Sequence, residues 1–266
     1  MWRPAFTLAL TTISVAATVL PAHAADTAVD LALILAVDVS RSMDPDEQQL
    51  QRNGYVAAIS NPVLVTAIVS GPHHRIALSY IEWAGPGMQE IVVDWRVIDG
   101  PAAAKAFAEA LAQAPLQTFR GTSISGGLTF AKSRFDTGGF AAARRVIDVS
   151  GDGPNNMGLP IELAREEVVQ AGITINGLPI MIKQAGDFLS VDNLDVYYQD
   201  CVIGGSGAFM EVVRSADQFE AAIRRKLALE IADRAPAPLL TPAADTNAKR
   251  IDCMIGEKLR QKWMSE

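Results

Sequence analysis

"LALILAVDVSRSMD", residues 31–44, changes abruptly from an apolar run to a polar one. The continuous apolar residues over 31–37 are typical of a strand in a parallel sheet that helices cover on both faces. Asp38, Ser40 and Ser42 then bring three oxygen-bearing side chains to the carboxyl end of that strand. Packing alone does not explain three such side chains at alternate positions, whereas hard cations prefer oxygen ligands. The stretch therefore predicts a buried strand that ends at a candidate cation site.

Strands and helices alternate along the rest of the chain. Residues 75–85 and 89–98 are rich in strand-forming residues and flank the turn sequence GPGM, which predicts a hairpin. RRVIDVS at 144–150 predicts a second buried strand, and residues 159–172 and 216–232 predict amphipathic helices. This alternation is typical of an α/β fold: a doubly wound, mostly parallel sheet with one antiparallel edge strand and helices on both faces.

Other segments carry more local predictions. Residues 44–68 have acids early and apolar residues at helical spacing, which predicts one helix. Another helix is expected to begin at about Ser123. Residues 208–215 are expected to form the last strand, after a long polar connection over 180–206. A short helix that contains Cys253 is expected near the C terminus.

Two more polar motifs lie where strands and helices meet. Asp152 follows the strand at 144–150, and Thr122 lies in the loop before the helix at Ser123. In doubly wound sheets, ligands bind beyond the carboxyl ends of the strands, where the strand order reverses. If the two buried strands are neighbours there, one rim carries two carboxylates and three hydroxyls, from Asp38, Ser40, Ser42, Thr122 and Asp152. Such an all-oxygen set favours one divalent cation, Mg²⁺ first with Mn²⁺ or Ca²⁺ as alternatives, over zinc or copper.

Each of these residues also has an ordinary explanation. Asp38 fits an acid at a helix N-terminus, and Asp152-Gly153 fits a simple turn. Capping of a following helix explains equally well the hydroxyls of Ser40, Ser42, Thr122 and Ser123. Taken singly these explanations are good. Their coincidence at three junctions of one fold favours the metal site.

The motifs DVSRSM at 38–43, GTSI at 121–124 and SGDG at 150–153 resemble, in order and spacing, the von Willebrand factor A-type domain with its metal-ion-dependent adhesion site. The resemblance covers residues 29–232. It implies that the five residues ring one divalent cation, and that an acidic side chain on a protein partner often completes the coordination.

The whole chain also resembles an uncharacterised bacterial family of exported proteins of this fold, through CVIGGSGAF at 201–209 and AIRRKLALEIA at 222–232. One position departs from the pattern of the A-type domain. The family usually has Thr or Ser before the second aspartate, and this chain has Gly151. A glycine there is expected to loosen the loop.

Residues 1–24 have the pattern of a secretory signal peptide: basic Arg3, a short apolar core and the cleavage site Ala22-His23-Ala24. A membrane anchor is the alternative, but the apolar core is shorter than the roughly 20 residues that a span requires. The mature chain is expected to begin at Ala25 and to be periplasmic or secreted. It divides into an A-type domain over 25–234, followed by a linker and tail over 235–266.

Cys201 and Cys253 are the two cysteines of the chain. In an exported protein such a pair predicts a disulfide that joins the tail to the body, with two buried free thiols as the alternative. The tail itself is either a docking element or a cap that the disulfide holds. The formal net charge of −7, which becomes −8 without Arg3, argues against nucleic acid and anionic membranes as partners.

Known catalytic motifs do not occur in the sequence. It contains neither a G-x-S-x-G elbow nor a phosphate-binding P-loop. His73 and His74 precede a strand and are expected at the opposite rim of the sheet, while Glu82 is expected to be a solvated or capping acid. The sequence therefore predicts a metal-dependent binding module and not an enzyme. A metal-assisted hydrolase and a scaffold that the metal stabilises are the alternatives.

Overall fold

The computed structural model describes residues 26–182, 191–233 and 250–266. The predicted signal peptide and most of the predicted linker lie outside these residues. Within them, no helix combines the length and apolar character that crossing a bilayer requires.

Five strands form one sheet in the order β3-β2-β1-β4-β5. Their bounds are β1 Thr27–Asp38, β2 Ile76–Trp83, β3 Gln89–Ile98, β4 Phe140–Gly151 and β5 Thr174–Pro179. Of the four strand pairs in the described part of the chain, three are parallel and β2–β3 is antiparallel, so β3 is the antiparallel edge strand that the sequence predicts. The chain leaves β1 towards β2 on one side and returns to β4 on the other, so the strand order reverses at β1.

Helices cover both faces of the sheet. They are α1 Pro45–Ile59, α2 Pro62–Val69, α3 Pro101–Gln113, α4 Ile124–Asp136, α5 Ile161–Gln170, α6 Leu194–Tyr197, α7 Phe219–Ile231 and α8 Ile255–Ser265. Alternate residues of β1 enter two cores: Leu33 and Leu35 pack with α1, α3 and α7, whereas Ile34 and Ala36 pack with α4 and α5. Burial on both faces explains why the strand is apolar throughout.

The single helix predicted over residues 44–68 is wrong, because the chain forms α1 and α2 there. Ser60 ends α1, and the Asn61 side chain caps α2 by accepting the N–H of Val63 at 2.9 Å. Pro62 follows at the first helical position, where its missing N–H costs nothing. Asn-Pro therefore both ends one helix and begins the next.

The last strand predicted over residues 208–215 is reduced to two isolated parallel bridges, Gly177–Met210 within β5 and Ile180–Val213 directly after it. Pro179 lies between these bridges. Its carbonyl accepts the N–H of Val213 at 3.0 Å, but proline has no N–H to donate in return. The segment runs beside the sheet edge, and the missing donor interrupts the ladder.

The prediction of a long polar connection over 180–206 is wrong for residues 191–206. Residues 191–206 include α6 and a π-helical turn, Tyr198–Val202. Tyr197 and Tyr198 from this region are fully buried. The predicted tail helix exists as α8, but Cys253 lies two residues before its first residue.

Candidate metal centre

The adjacent strands β1 and β4 end at one rim of the sheet. Val37 is paired with Ser150 in the parallel register, so Asp38 at the end of β1 lies beside Gly151 at the end of β4. Ser40 and Ser42 follow in the first loop and Asp152 in the second. The structure thus brings both predicted carboxylates to the point where the strand order reverses.

Hydrogen bonds connect the polar side chains of this rim into a chain of oxygen atoms. Ser40 Oγ lies 2.8 Å from Ser42 Oγ, and Ser42 Oγ donates to Asp152 Oδ1 at 2.6 Å. Thr122 Oγ1 donates to Ser40 Oγ at 3.4 Å. Asp38 Oδ1 accepts the backbone N–H of Ser40 at 2.7 Å, which turns the first loop back over the end of β1. All five predicted site residues therefore lie together.

Capping does not explain the three hydroxyls. Asp44 is the N-cap of α1, where it forms a reciprocal capping box with Glu47. Ser123 is the N-cap of α4, and its Oγ accepts the N–H of Gly126 at 3.1 Å. Ser40, Ser42 and Thr122 are consequently available for another role.

The loop that carries Thr122 is held from two sides. Ser123 donates its N–H to the Ala84 carbonyl at 2.8 Å, and Phe119 pairs with Ser40 in a parallel bridge. Asn156 accepts the Thr122 N–H through its side chain and donates its own N–H to the Thr122 carbonyl. Asn156 was not predicted from the sequence, although its place in SGDGPNN, four residues after Asp152, was a usable signal.

The donor set fits a hard cation. Six ligands at about 2.0–2.1 Å in octahedral geometry place neighbouring oxygens roughly 2.9 Å apart. The consecutive oxygen separations of 2.8, 2.6 and 3.4 Å lie around that value. In the part of the chain that the structure describes, no three His, Cys, Asp or Glu side chains cluster as metal ligands would. Three of the five candidate ligands are hydroxyls and two are carboxylates, and oxygen ligands of this kind suit hard cations.

Gly151 ends β4, and the buried Tyr198 occupies the space beside it. A Cβ at position 151 would lie 3.0 Å from the Tyr198 hydroxyl and 2.9 Å from Asp38 Oδ2. Burial raises the pKa of Tyr198 well above its ordinary value, and the carboxylates of Asp38 and Asp152 raise it further. Tyr198 therefore contributes a neutral hydroxyl beside the site.

The C-terminal tail packs against the second loop. A disulfide joins Cys201 to Cys253, with a Cα–Cα distance of 5.6 Å. Glu257 is the third residue of α8, and its Oε1 accepts a hydrogen bond from the Asn155 side-chain amide at 2.7 Å. The other end of that amide, Asn155 Oδ1, accepts the N–H of Ser125 at the start of α4. The tail is thus connected to the loop that carries Asp152.

Glu82 is not the solvated or capping acid that the sequence predicts. It is buried one residue below the rim and forms an ion pair with Arg52. Burial raises the pKa of Glu82, and Arg52 partly offsets that shift. Arg52 also donates to the carbonyls of Leu111 and Ala114 at the end of α3. His73 lies at the opposite rim, as predicted, where its N–H binds the Asp30 carboxylate.

A family model described as "Protein of unknown function (DUF1194)" matches residues 28–235. None of the curated protein sequences matches the chain. Solved structures resemble it at the level of the fold. One is proximal thread matrix protein 1 from the mussel byssus, with a TM-score of 0.56 and 13% identity over 79% of this chain and 49% of that one.

Two further structures are similar. The same byssus protein with a zinc-occupied metal-ion-dependent adhesion site has a TM-score of 0.51 and 14% identity over 78% of this chain and 47% of that one. The von Willebrand factor domain of the type V pili tip protein Mfa5 from Porphyromonas gingivalis has a TM-score of 0.52 and 12% identity over 80% of this chain and 98% of that one. The chain spans about half the length of the byssus protein. The fold is that of the von Willebrand factor A-type domain.

Proposed function

Because the chain belongs to the DUF1194 family and has the A-type fold, we propose that it is an exported, divalent-metal-dependent protein-binding module. Its cation, Mg²⁺ by the chemistry of the ligands, would be held by Asp38, Ser40, Ser42, Thr122 and Asp152. A carboxylate of a partner protein would bond directly to that cation. Surface adhesion and the assembly of an envelope complex are the two kinds of task that such a module serves.

One observation carries the proposal: the oxygen chain that joins Ser40, Ser42 and Asp152 across two loops. Ser42 and Asp152 lie 110 residues apart in sequence, yet Ser42 Oγ donates to Asp152 Oδ1 at 2.6 Å. Two carboxylates at such a site would repel each other without a cation, and a bound cation removes that repulsion. The three hydroxyls are free of capping duties and add neutral oxygen ligands.

Export is supported by two features. Residues 1–24 have the pattern of a signal peptide, and the disulfide between Cys201 and Cys253 is of a kind that persists in oxidising compartments. Similarity to a pilus tip domain agrees with this location.

Binding is favoured over catalysis by the surroundings of the rim. A metal-assisted hydrolase needs a general base within reach of the attacking water. Glu82, the acid nearest below the rim in β2, is buried in its ion pair with Arg52. His73 and His74 lie at the other end of the sheet.

The first test is thermal unfolding of the mature, metal-stripped protein with increasing Mg²⁺, Mn²⁺ or Ca²⁺. A ligand that binds only the folded state adds about 2.7 kcal/mol at a hundredfold excess over Kd. We expect a saturable rise in Tm for the wild type and for Asp99→Ala, an exposed acid at the opposite rim. The rise should disappear in Asp152→Ala. Equal responses in Asp152→Ala and wild type, or no response in either, would refute the metal site.

A further inference from the structure

Two exposed arginines flank the candidate metal ligands. Arg41 lies between Ser40 and Ser42, and Arg120 lies two residues before Thr122. Ser40 and Phe119 form a parallel bridge, in which Arg41 donates its backbone N–H to the Phe119 carbonyl at 2.9 Å. The residues that follow the bridged pair, Arg41 and Arg120, therefore occupy neighbouring positions on adjacent segments at the rim.

These two guanidinium groups are not neutralised within the part of the chain that the structure describes, where neither forms an ion pair or a side-chain hydrogen bond. Acids close by have other roles. Asp44 and Glu47 hold the capping box of α1, and Glu90 accepts a hydrogen bond from Gln117. Like charges at neighbouring positions of paired segments destabilise the fold. An anionic ligand bound between the two guanidinium groups would offset their repulsion, because both groups attract it.

The two arginines belong to a rim that also carries the carboxylates of Asp38 and Asp152. The chain as a whole is acidic, with 30 Asp and Glu against 23 Lys and Arg, so nonspecific attraction of anions is weak. Arg41 and Arg120 place positive charge where a partner carboxylate would reach the cation. A single carboxylate would use the cation and leave both guanidiniums without a partner.

We propose that the partner of this site presents a run of several acidic side chains, of which one bonds to the cation while its neighbours pair with Arg41 and Arg120. This inference rests on the metal-dependent binding proposed above and adds the chemical class of the partner. Guanidinium groups suit the role because they bind carboxylates through a planar fork of donors. Specificity for an acidic run would thus come from the two arginines, and the cation would supply the central bond.

The test uses the mature protein with saturating Mg²⁺ and two synthetic peptides. One peptide has three consecutive aspartates, and the other has a single aspartate between two serines. We expect the wild type to bind the triple-aspartate peptide about tenfold more tightly, since two exposed ion pairs contribute on that scale. Arg41→Gln combined with Arg120→Gln should abolish this preference.

The control is Arg75→Gln combined with Arg96→Gln, which removes the same charge from exposed positions away from the rim. It should keep the preference. The Mg²⁺-induced rise in Tm should be unchanged in both double variants, so that loss of the metal site is distinguished from loss of the arginine contacts.

Three results would overturn the inference. Equal affinity of the wild type for both peptides would leave metal-dependent binding of a single carboxylate intact and exclude the arginine pair. Binding of neither peptide, although Mg²⁺ still raises the Tm, would exclude acidic runs as the partner class. If Asp152→Ala or the Arg41 and Arg120 double variant still preferred the triple-aspartate peptide, that peptide would bind outside the candidate metal site and the two arginines. Absence of any Mg²⁺ effect would instead refute the proposed function itself.

Discussion

At the scale of the residue, the surroundings of Gly151 depend on a tyrosine from a distant segment. The von Willebrand factor A-type pattern usually has a hydroxyl-bearing residue before the second aspartate. Here the hydroxyl of Tyr198, from a segment 47 residues away, lies 3.5 Å from the carbonyl oxygen of Gly151. The glycine is thus needed for close packing between β4 and the π-helical turn.

Gly151→Ser should therefore damage the site, although it restores the usual residue. The new Cβ would lie 2.9 Å from Asp38 Oδ2 and 3.0 Å from the Tyr198 hydroxyl, so one of the two must move. Overpacking of this kind costs about 1–3 kcal/mol. We expect a lower Tm and weaker Mg²⁺ binding in titration calorimetry.

Adding Tyr198→Phe to Gly151→Ser should recover part of both losses, because it removes the hydroxyl that the new side chain meets. Tyr198→Phe alone serves as the control and should retain the fold. No coupling between the two positions in this double-mutant cycle would contradict the packing explanation.

At the scale of the element, α8 is an appendage that holds the site from outside the sheet. Only Gly256 is buried within this helix, and a Cβ there would lie 2.1 Å from the backbone oxygen of Asn155. This close approach sets the position from which Glu257 reaches the Asn155 amide. We therefore expect the tail to stabilise the loop that carries Asp152.

Gly256→Ala should move α8 away from that loop, since a backbone atom cannot yield as a flexible side chain does. Loss of the Glu257–Asn155 bond would loosen the Asp152 loop while the disulfide keeps the tail attached. We expect the free energy of unfolding to fall by about 1–3 kcal/mol, which lowers the Tm. The Kd for Mg²⁺ should rise.

Gln261→Ala is the control for this change, because it alters an exposed residue of the same helix. The stability and metal affinity of that variant should equal those of the wild type. Unchanged metal affinity in Gly256→Ala, despite a lower Tm, would show that α8 stabilises the fold without supporting the site.

At the scale of the whole molecule, a buried charge cluster connects the sheet to α7. Lys226 on α7 pairs with Asp148 on β4 at 2.6 Å and with Glu230 one turn further along the helix. Glu230 also accepts a hydrogen bond from Asn176 on β5 at 3.0 Å. Two carboxylates share one ammonium group here. Burial, and then the Glu230 carboxylate, raises the pKa of Asp148 to about 7, while Lys226 lowers it in part.

The stability of the protein should therefore depend on pH through Asp148. Between its ordinary pKa of 3.8 and about 7, the folded state holds a proton that the unfolded state has released. Stability accordingly falls as the pH rises through this window, by up to about 1.4 kcal/mol per pH unit, and levels off above it. Asp148→Asn should lose this dependence, since the amide cannot ionise and Lys226 keeps Glu230 as its partner.

Urea unfolding at several values between pH 5 and pH 8 measures this effect. Asp99→Asn, which changes an exposed acid, should keep the slope of the wild type. The same slope in Asp148→Asn and in wild type would show that Asp148 ionises normally in the folded protein.

Local pattern was sufficient to predict much of this protein. The apolar run of β1 predicted burial on both faces, and the order of strands and helices predicted the doubly wound sheet. The positions of Asp38, Thr122 and Asp152 at element ends predicted that they meet, because parallel strands end at a common rim. The break between α1 and α2 was also readable, since Asn61-Pro62 is a local signal.

Other features depend on contacts between distant segments. Tyr198 lies 47 residues from Gly151, and nothing near either position predicts that they touch. The burial of Glu82 in β2 depends on Arg52 from α1. The interrupted pairing of residues 208–215 depends on Pro179 in β5. The sequence by itself determined the elements and the oxygen ligands, because periodicity and residue chemistry are local. Only the tertiary structure decided what fills the space around them, because packing joins residues that the chain keeps far apart.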